Sequence, residues 1–136
     1  MSDEKLPTDR HATLRIVPMP ADTNAAGNIF GGWLMSQVDI AGSIAAIRRA
    51  RGPVTTVAVN GFRFIKPVYV GDLVSLYAEV SAVGTTSITT QIRVYVERGL
   101  RFSGPAGTVE LVAEATLTYV AIDAQYHKRA VPPPVQ

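Results

Sequence analysis

Asp39 lies between Val38 and Ile40-Ala41, in a proline-free stretch from Trp33 to Ala50 whose apolar spacing predicts a helix. Aspartate is a poor helix-interior residue, because its side chain competes for the backbone. On a buried face an unpaired carboxylate costs on the order of several kcal/mol. Such a group needs a reason to be there. It could act as a general base on water or as a nucleophile. The plainer alternative is a capped or solvent-facing acid beside a close helix–sheet contact, and spacing alone leaves both open.

The surroundings of Asp39 add to this. Gly32, Ser36, Asp39, Ser43 and Ala46 fall on one helical face at steps of four, three, four and three. All but Asp39 are small, so another backbone or a flat ligand can come close. Gly31-Gly32 opens the helix, where the first turn has free N–H groups and a partial positive charge. Two glycines allow close approach to that backbone, and a polarised carbonyl or oxyanion could be stabilised there. Gly32 and Asp39 are seven residues apart, about 10 Å along the axis. A carbonyl at the helix start is then within reach of a water held by Asp39. The alternative is that the glycines only make a tight loop-to-helix junction. Asn24, in the preceding loop, could orient a water or donate to a carbonyl, or could simply form a turn, the role expected of Asn28. Ser36 and Ser43 are poor nucleophiles, with no His nearby in sequence to activate them.

The elements that must position these residues follow from periodicity. Residues 12–17 alternate as a short strand stopped by Pro18 and Pro20, and residues 20–32 form a loop rich in turn formers. In the helix, positions 34, 38, 41 and 45 share helical spacing, as do Ile40, Ile44 and Ile47. Arg48, Arg49 and Arg51 before Gly52-Pro53 make a C-terminal stop. The period then changes to two over 54–65, 73–83, 86–97 and 108–122, with turns at Gly71-Asp72 and Gly84-Thr85 and a longer hairpin loop over 98–107. One helix against a five-stranded, mostly antiparallel sheet is an α+β layer. The helix covers one face, so the other face or the sheet edge needs a partner chain.

Composition sets the limits. With 136 residues, 47% hydrophobic and 18% charged, the chain makes one folded domain, expected over 11–130 with flexible termini at 1–10 and 131–136. Net charge is +2, and ten of the thirteen basic residues are scattered arginines, which excludes nucleic acid as the expected main partner. There is no Cys, so disulfides, thiol nucleophiles and Cys-ligated metals are excluded. His11 and His127 lie near the ends, leaving a metal site or His-based triad little to use. The start is polar and no apolar run approaches membrane-spanning length, so a cytoplasmic protein without membrane contact is expected.

Two segments are family-specific. Met19-Pro20-x-Asp22-Thr23-Asn24-x-x-Gly27-Asn28-Ile29-Phe30-Gly31-Gly32-Trp33-Leu34-Met35-Ser36-Gln37-x-Asp39 closely resembles the hotdog-fold acyl-CoA thioesterases of the YciA type. So does Val57-Ala58-Val59-x-Gly61-Phe62-x-Phe64-x-Lys66-Pro67-Val68-x-Val70-Gly71-Asp72. Gly84-Thr85-Thr86-Ser87 and Tyr119-Val120-Ala121-Ile122-Asp123 extend the likeness to most of 14–130.

The resemblance implies a hotdog fold, a long helix wrapped by a curved antiparallel sheet. It implies dimers with a continuous ten-stranded sheet, often assembled as a trimer of dimers, a hexamer. It implies hydrolysis of acyl-CoA to free acid and CoA, with no cofactor beyond the CoA of the substrate. Asp39 falls on the family's catalytic carboxylate, Asn24 on its loop partner, and Gly31-Gly32 on the glycines facing the thioester carbonyl, at a dimer interface with residues from both chains. Asn60, Phe64, Lys66, Thr86, Ser87 and Arg93 are the expected substrate contacts. Lys66 and Arg93, with Arg98 and Arg101, are candidates for the CoA phosphates. Asn28 and Asn60 stand where the pattern often has acids, and Asn60 bears on the substrate tunnel. A hotdog hydratase or dehydratase is the other enzymatic reading, but that chemistry pairs a His with an acid. A non-catalytic acyl-CoA-binding domain is the third, and the presence of both Asp39 and Asn24 argues against it.

Overall fold

A computed structural model describes residues 4–99 and 108–135. Strand β1 (Leu14–Ile16) is followed by a 3-10 turn at Pro20–Asp22 and the helix α1 (Gly31–Ala50). Four long strands follow: β2 (Val54–Phe64), β3 (Leu73–Val83), β4 (Ser87–Glu97) and β5 (Val109–Ala121). They form one antiparallel sheet in the order β1-β3-β4-β5-β2, so the expected α+β layer is present. Most of the hairpin loop expected over 98–107, and with it Arg101, lies outside the described residues. None of the described helices is long and apolar enough to cross a membrane.

The inner sheet face follows from the alternation. Val74, Leu76, Ile92, Val94, Ala115, Leu117 and Tyr119 are buried together against Leu34, Val38 and Ala41 of α1. Burying each such large side chain contributes about 1.5–3 kcal/mol. The alternation of β5 slips once: Val94 pairs with Ala113 but Tyr95 with Leu111. The bulge between them puts Val112 and Ala113 both in the core and sends Leu111 to the face of Tyr95. An unbroken period-two reading of 108–122, with Leu111 beside Ala113, is therefore corrected by one residue.

The helix buries a narrow stripe of mostly small residues: Leu34, Val38, Ala41, Gly42, Ala46 and Ala50. Ile40 and Ile47, which have the same spacing, are exposed at 46% and 43%. Arg51, in the left-handed region at φ 52°, ends the helix, and its N–H donates to the Ile47 carbonyl. The C-terminal arginines do more than oppose the helix dipole. Arg49 Nη1 donates to the Pro132 carbonyl at 2.6 Å, Arg51 Nη1 to that of Pro133 at 3.1 Å, and Val131 N–H to that of Thr85 at 2.8 Å. The extended tail is thus tied down over 131–133. At the other end Arg10 pairs with Glu79 at 2.9 Å, and Arg15 bonds Ser75 and Tyr77 on the outer sheet face.

Gly42 sets how closely helix and sheet approach. A Cβ there would lie 2.4 Å from the Tyr119 hydroxyl and 3.0 Å from Thr90 Oγ1. Alanine gains up to ~1 kcal/mol of helix propensity, but overpacking costs about 1–3 kcal/mol, and here the obstacle is a fully buried ring. Gly42→Ala is expected to lower the melting temperature by several degrees. A variant that melts at or above wild type would contradict this packing.

Candidate active site

Asn24 stands at the head of a turn closed by its own backbone. Its N–H donates to the Asn28 carbonyl at 2.7 Å, and its carbonyl accepts from Gly27 N–H at 3.0 Å. Its side-chain Oδ1 accepts from Ala26 N–H at 2.9 Å and Asn28 N–H at 3.2 Å. Gly27 completes the turn at φ 89°, a conformation that favours glycine. Asn24 therefore makes the turn and keeps its amide NH₂ free of bonds from the described residues. Asn28, expected to form a turn, contributes backbone to this one, and its side chain lines a recess instead. The loop is moored to its surroundings: Ile29 N–H donates to the Val68 carbonyl and Phe30 N–H to that of Asp22, both at 2.9 Å.

The recess holds about 280 Å³ and is lined by Asn24, Asn28, Gly31, Phe64, Lys66 and neighbouring apolar side chains. It lies at the N-terminus of α1, which has no side-chain cap and no acid in its first turn. The open N–H groups there can stabilise a carbonyl oxygen or an anion. A Cβ on Gly31 would press the Phe64 ring at 3.3 Å, whereas one on Gly32 would meet nothing within 4 Å. Gly31 thus permits a close contact, and Gly32 leaves open space on the Asp39 side of the helix. The Phe64 and Phe62 rings lie 4.5 Å apart.

Asp39 lines a second recess of about 230 Å³, with Met35, Ser36, Thr56, Val59, Phe62 and Leu117. Its Oδ1 accepts from Thr56 Oγ1 at 2.8 Å and from the Tyr119 hydroxyl at 2.9 Å, and that hydroxyl also lies 2.9 Å from the Asp39 carbonyl. Burial, and next the adjoining carboxylate, push the Tyr119 phenol far above its ordinary range, so it remains a donor. The carboxylate is neither unpaired nor merely solvated. Within one chain Asp39 does not share the recess of Asn24 and Gly31, so a site assembled along a single helix is not what forms.

The remaining expected contacts divide. Phe64 and Lys66 join Asn24 and Gly31. Thr86 and Ser87 do not: Ser87 pairs with Val120 and Phe64 with Ala113, at opposite ends of β5 and roughly 20 Å apart. Arg93 lies on the sheet face away from α1, in a polar groove with Arg63, Gln91, Glu114 and Thr116. Asn60 sits at a bulge in β2 and accepts from Thr118 Oγ1 at 2.6 Å, also on the outer face. In this chain it reaches neither recess.

Arg98, weighed above for a phosphate, is already engaged. It bonds Asp72 Oδ2 at 2.8 Å, the Pro67 carbonyl at 2.9 Å and Glu110, and stacks over the Tyr69 ring. Lys66 Nζ lies 3.3 Å from the same Glu110. Arg98 holds the Glu110 carboxyl below its ordinary range despite desolvation. Burial raises Asp72, against the opposing effects of the Tyr69 N–H and Arg98. This cluster fixes the 66–72 segment that walls the first recess. Sequence reading missed Thr56 and Tyr119. The usable signals were a glycine in mid-helix and a tyrosine on the inner face of a strand otherwise lined there by alanine and leucine.

The thioesterase superfamily profile matches residues 26–103. The acyl-CoA thioester hydrolase YciA of Escherichia coli strain K12 is 50% identical over 119 residues, covering 88% of this chain and 89% of that protein. A hexameric thioesterase from Yersinia pestis superposes with a TM-score of 0.84 at 46% identity, covering 95% of this chain and 100% of the other. A hexameric hotdog-fold thioesterase of Campylobacter jejuni gives 0.85 at 37% identity, with 93% of each chain covered. With its long helix laid on a five-stranded sheet and this degree of identity, the chain belongs to the hotdog-fold thioesterase superfamily, among the acyl-CoA thioester hydrolases of the YciA type.

Proposed function

We propose that this thioester hydrolase cleaves acyl-CoA as a homo-oligomer, with Asp39 as the reacting carboxylate and the α1 N-terminus of a partner copy polarising the thioester carbonyl. The observation that carries the reading is Asp39 itself. Its Oδ1 is held by two hydroxyls, and it opens on a recess with apolar walls. Water attacks the carbonyl carbon while Asp39 takes its proton, and the oxyanion is met by the N–H groups at Gly31-Gly32 and the Asn24 amide. The C–S bond then breaks, and the CoA thiolate leaves with the proton that Asp39 had taken, which restores the carboxylate. Direct attack by Asp39 would give a mixed anhydride that water then opens to the same products. No metal or redox cofactor enters either route.

The partner follows from the free edge of the sheet. β2 is an outer strand of 11 residues, with Val57 and Val59 exposed at 53% and 48%. An apolar edge of that length is a template for pairing. Pairing about a two-fold axis sets the two helices antiparallel, so the start of one lies beside the middle of the other. That brings Gly31 and Asn24 of one copy towards Asp39 of the next and covers Met35 and Ile40. Three such dimers make the hexamer.

Light scattering at micromolar concentration should give at least twice 14.6 kDa. Val57→Lys on the free edge should reduce both mass and turnover. A clean monomer with full activity would remove the shared site. The reaction itself is tested on a panel of acyl-CoAs with a thiol reagent and EDTA present. Free CoA release supports hydrolysis. Hydration of an enoyl-CoA without thiol release would support a hydratase, although neither His lines the recesses of Asn24 or Asp39. Binding with neither product would leave only a binding domain.

A further inference from the structure

We propose that Tyr119 and Thr56 are positioning residues for Asp39, fixing its Oδ1 so that Oδ2 alone faces the thioester or its attacking water. The inference rests on the reading of Asp39 as the reacting carboxylate. Thr56 and Tyr119 are directly opposed partners on β2 and β5, so both side chains rise from the inner face towards the same point of α1. Both hydroxyls reach the same oxygen, at 2.8 and 2.9 Å. Among the described residues no hydrogen bond reaches Oδ2. The Tyr119 hydroxyl also lies 2.9 Å from the Asp39 main-chain carbonyl, so one donor spans side chain and backbone of the residue it orients.

The packing around Tyr119 keeps it there. Its ring is fully buried, and the hydroxyl occupies the space left by the missing side chain of Gly42. Thr90, also fully buried, borders the same space with its Oγ1. A lone carboxylate on a helix surface samples several rotamers, and only some would serve a reacting carbon. Two donors on one oxygen, from two strands of a rigid sheet, select one of them. Thr56 borders the recess directly. Tyr119 acts from behind, out of contact with substrate.

The test uses purified full-length oligomer and one acyl-CoA that wild type hydrolyses. Tyr119→Phe removes the hydroxyl and keeps the ring, and Thr56→Val keeps the shape without the donor. Each should lower kcat about 10- to 100-fold, the range for a hydrogen bond to a charged group, with KM within about twofold. Thr56→Ser restores the donor and should recover most of the loss. Tyr119→Phe added to Asp39→Asn should cost nothing further, because the group it positions no longer reacts. Tyr119→Phe and Thr56→Val with wild-type kcat, while Asp39→Asn is inactive, would overturn the positioning role alone. A Thr56→Ser variant as slow as Thr56→Val would do the same. An active Asp39→Asn would overturn the carboxylate reading itself. Thr56 is exposed within the single chain, so its pair of variants, checked for wild-type oligomer mass, decides the matter even if Tyr119→Phe folds poorly.

Discussion

Asp39→Asn is expected to abolish most turnover while leaving fold, oligomer mass and CoA binding close to wild type. The amide is nearly isosteric, and its oxygen can still accept from Thr56 and Tyr119 in the place of Oδ1. What changes is Oδ2, which becomes an NH₂ that neither takes a proton at neutral pH nor attacks a carbonyl. A lost general base costs about 10²–10⁴-fold, and a lost nucleophile at least as much, so the loss should appear in kcat. A carboxylate present only to hold the hydroxyls of Thr56 and Tyr119 predicts the reverse, a shifted melting temperature with turnover intact. Melting, light scattering and thioester hydrolysis on one preparation separate the two. Normal hydrolysis by a well-folded Asp39→Asn oligomer would remove the central claim.

Fold and site were legible to different depths because they depend on interactions of different range. Strand and helix limits are written in local period, and β3 pairs with β4 without a register shift from Leu73 to Val80, so Val74, Leu76, Ala78 and Val80 share one face as their spacing predicts. A bulge has no such signature. At Val112 two successive residues are buried, and apolar residues on both sides hide the slip. The outward turn of Asn60 has the same origin, since the register shift at that point of β2 puts it beside Thr118. The Asp39–Tyr119 bond joins positions 80 apart and depends on Gly42 making room, a relation between three residues that spacing alone does not display. Arg98 shows the limit for surface charge. Its sequence context reads as a free cation in a hairpin, while the fold closes it against Asp72 and Glu110. Asn24 was read as turn or donor and serves as the first while keeping the atoms for the second.

Whether the site is shared between copies is open to a complementation experiment. Asn24→Asp keeps the oxygen that accepts from Ala26 and Asn28, so the turn should survive. It replaces the free NH₂ with a charge that repels a developing oxyanion, and loss of one such donor costs about 10²–10³-fold. Asn24→Ala removes the donor without adding a charge, but it also removes the oxygen that accepts from Ala26 and Asn28, so it tests the turn and the donor together. Chains carrying Asn24→Asp and chains carrying Asp39→Asn are each expected to form nearly inactive oligomers. A two-fold interface makes two equivalent sites, each using Asn24 of one copy and Asp39 of the other. In a mixed dimer one site collects both lesions and the other collects neither. Random pairing makes about half the dimers mixed, so about a quarter of all sites regain wild-type composition by this symmetry. Co-expression of the two chains with different tags, purification through both tags and an acyl-CoA assay should therefore yield strong activity from two inactive parents. In a site confined to one chain, every site would keep one lesion. The mixed oligomer would then stay at the average of its parents, and that result would place Asn24 and Asp39 of the same copy at one reaction centre.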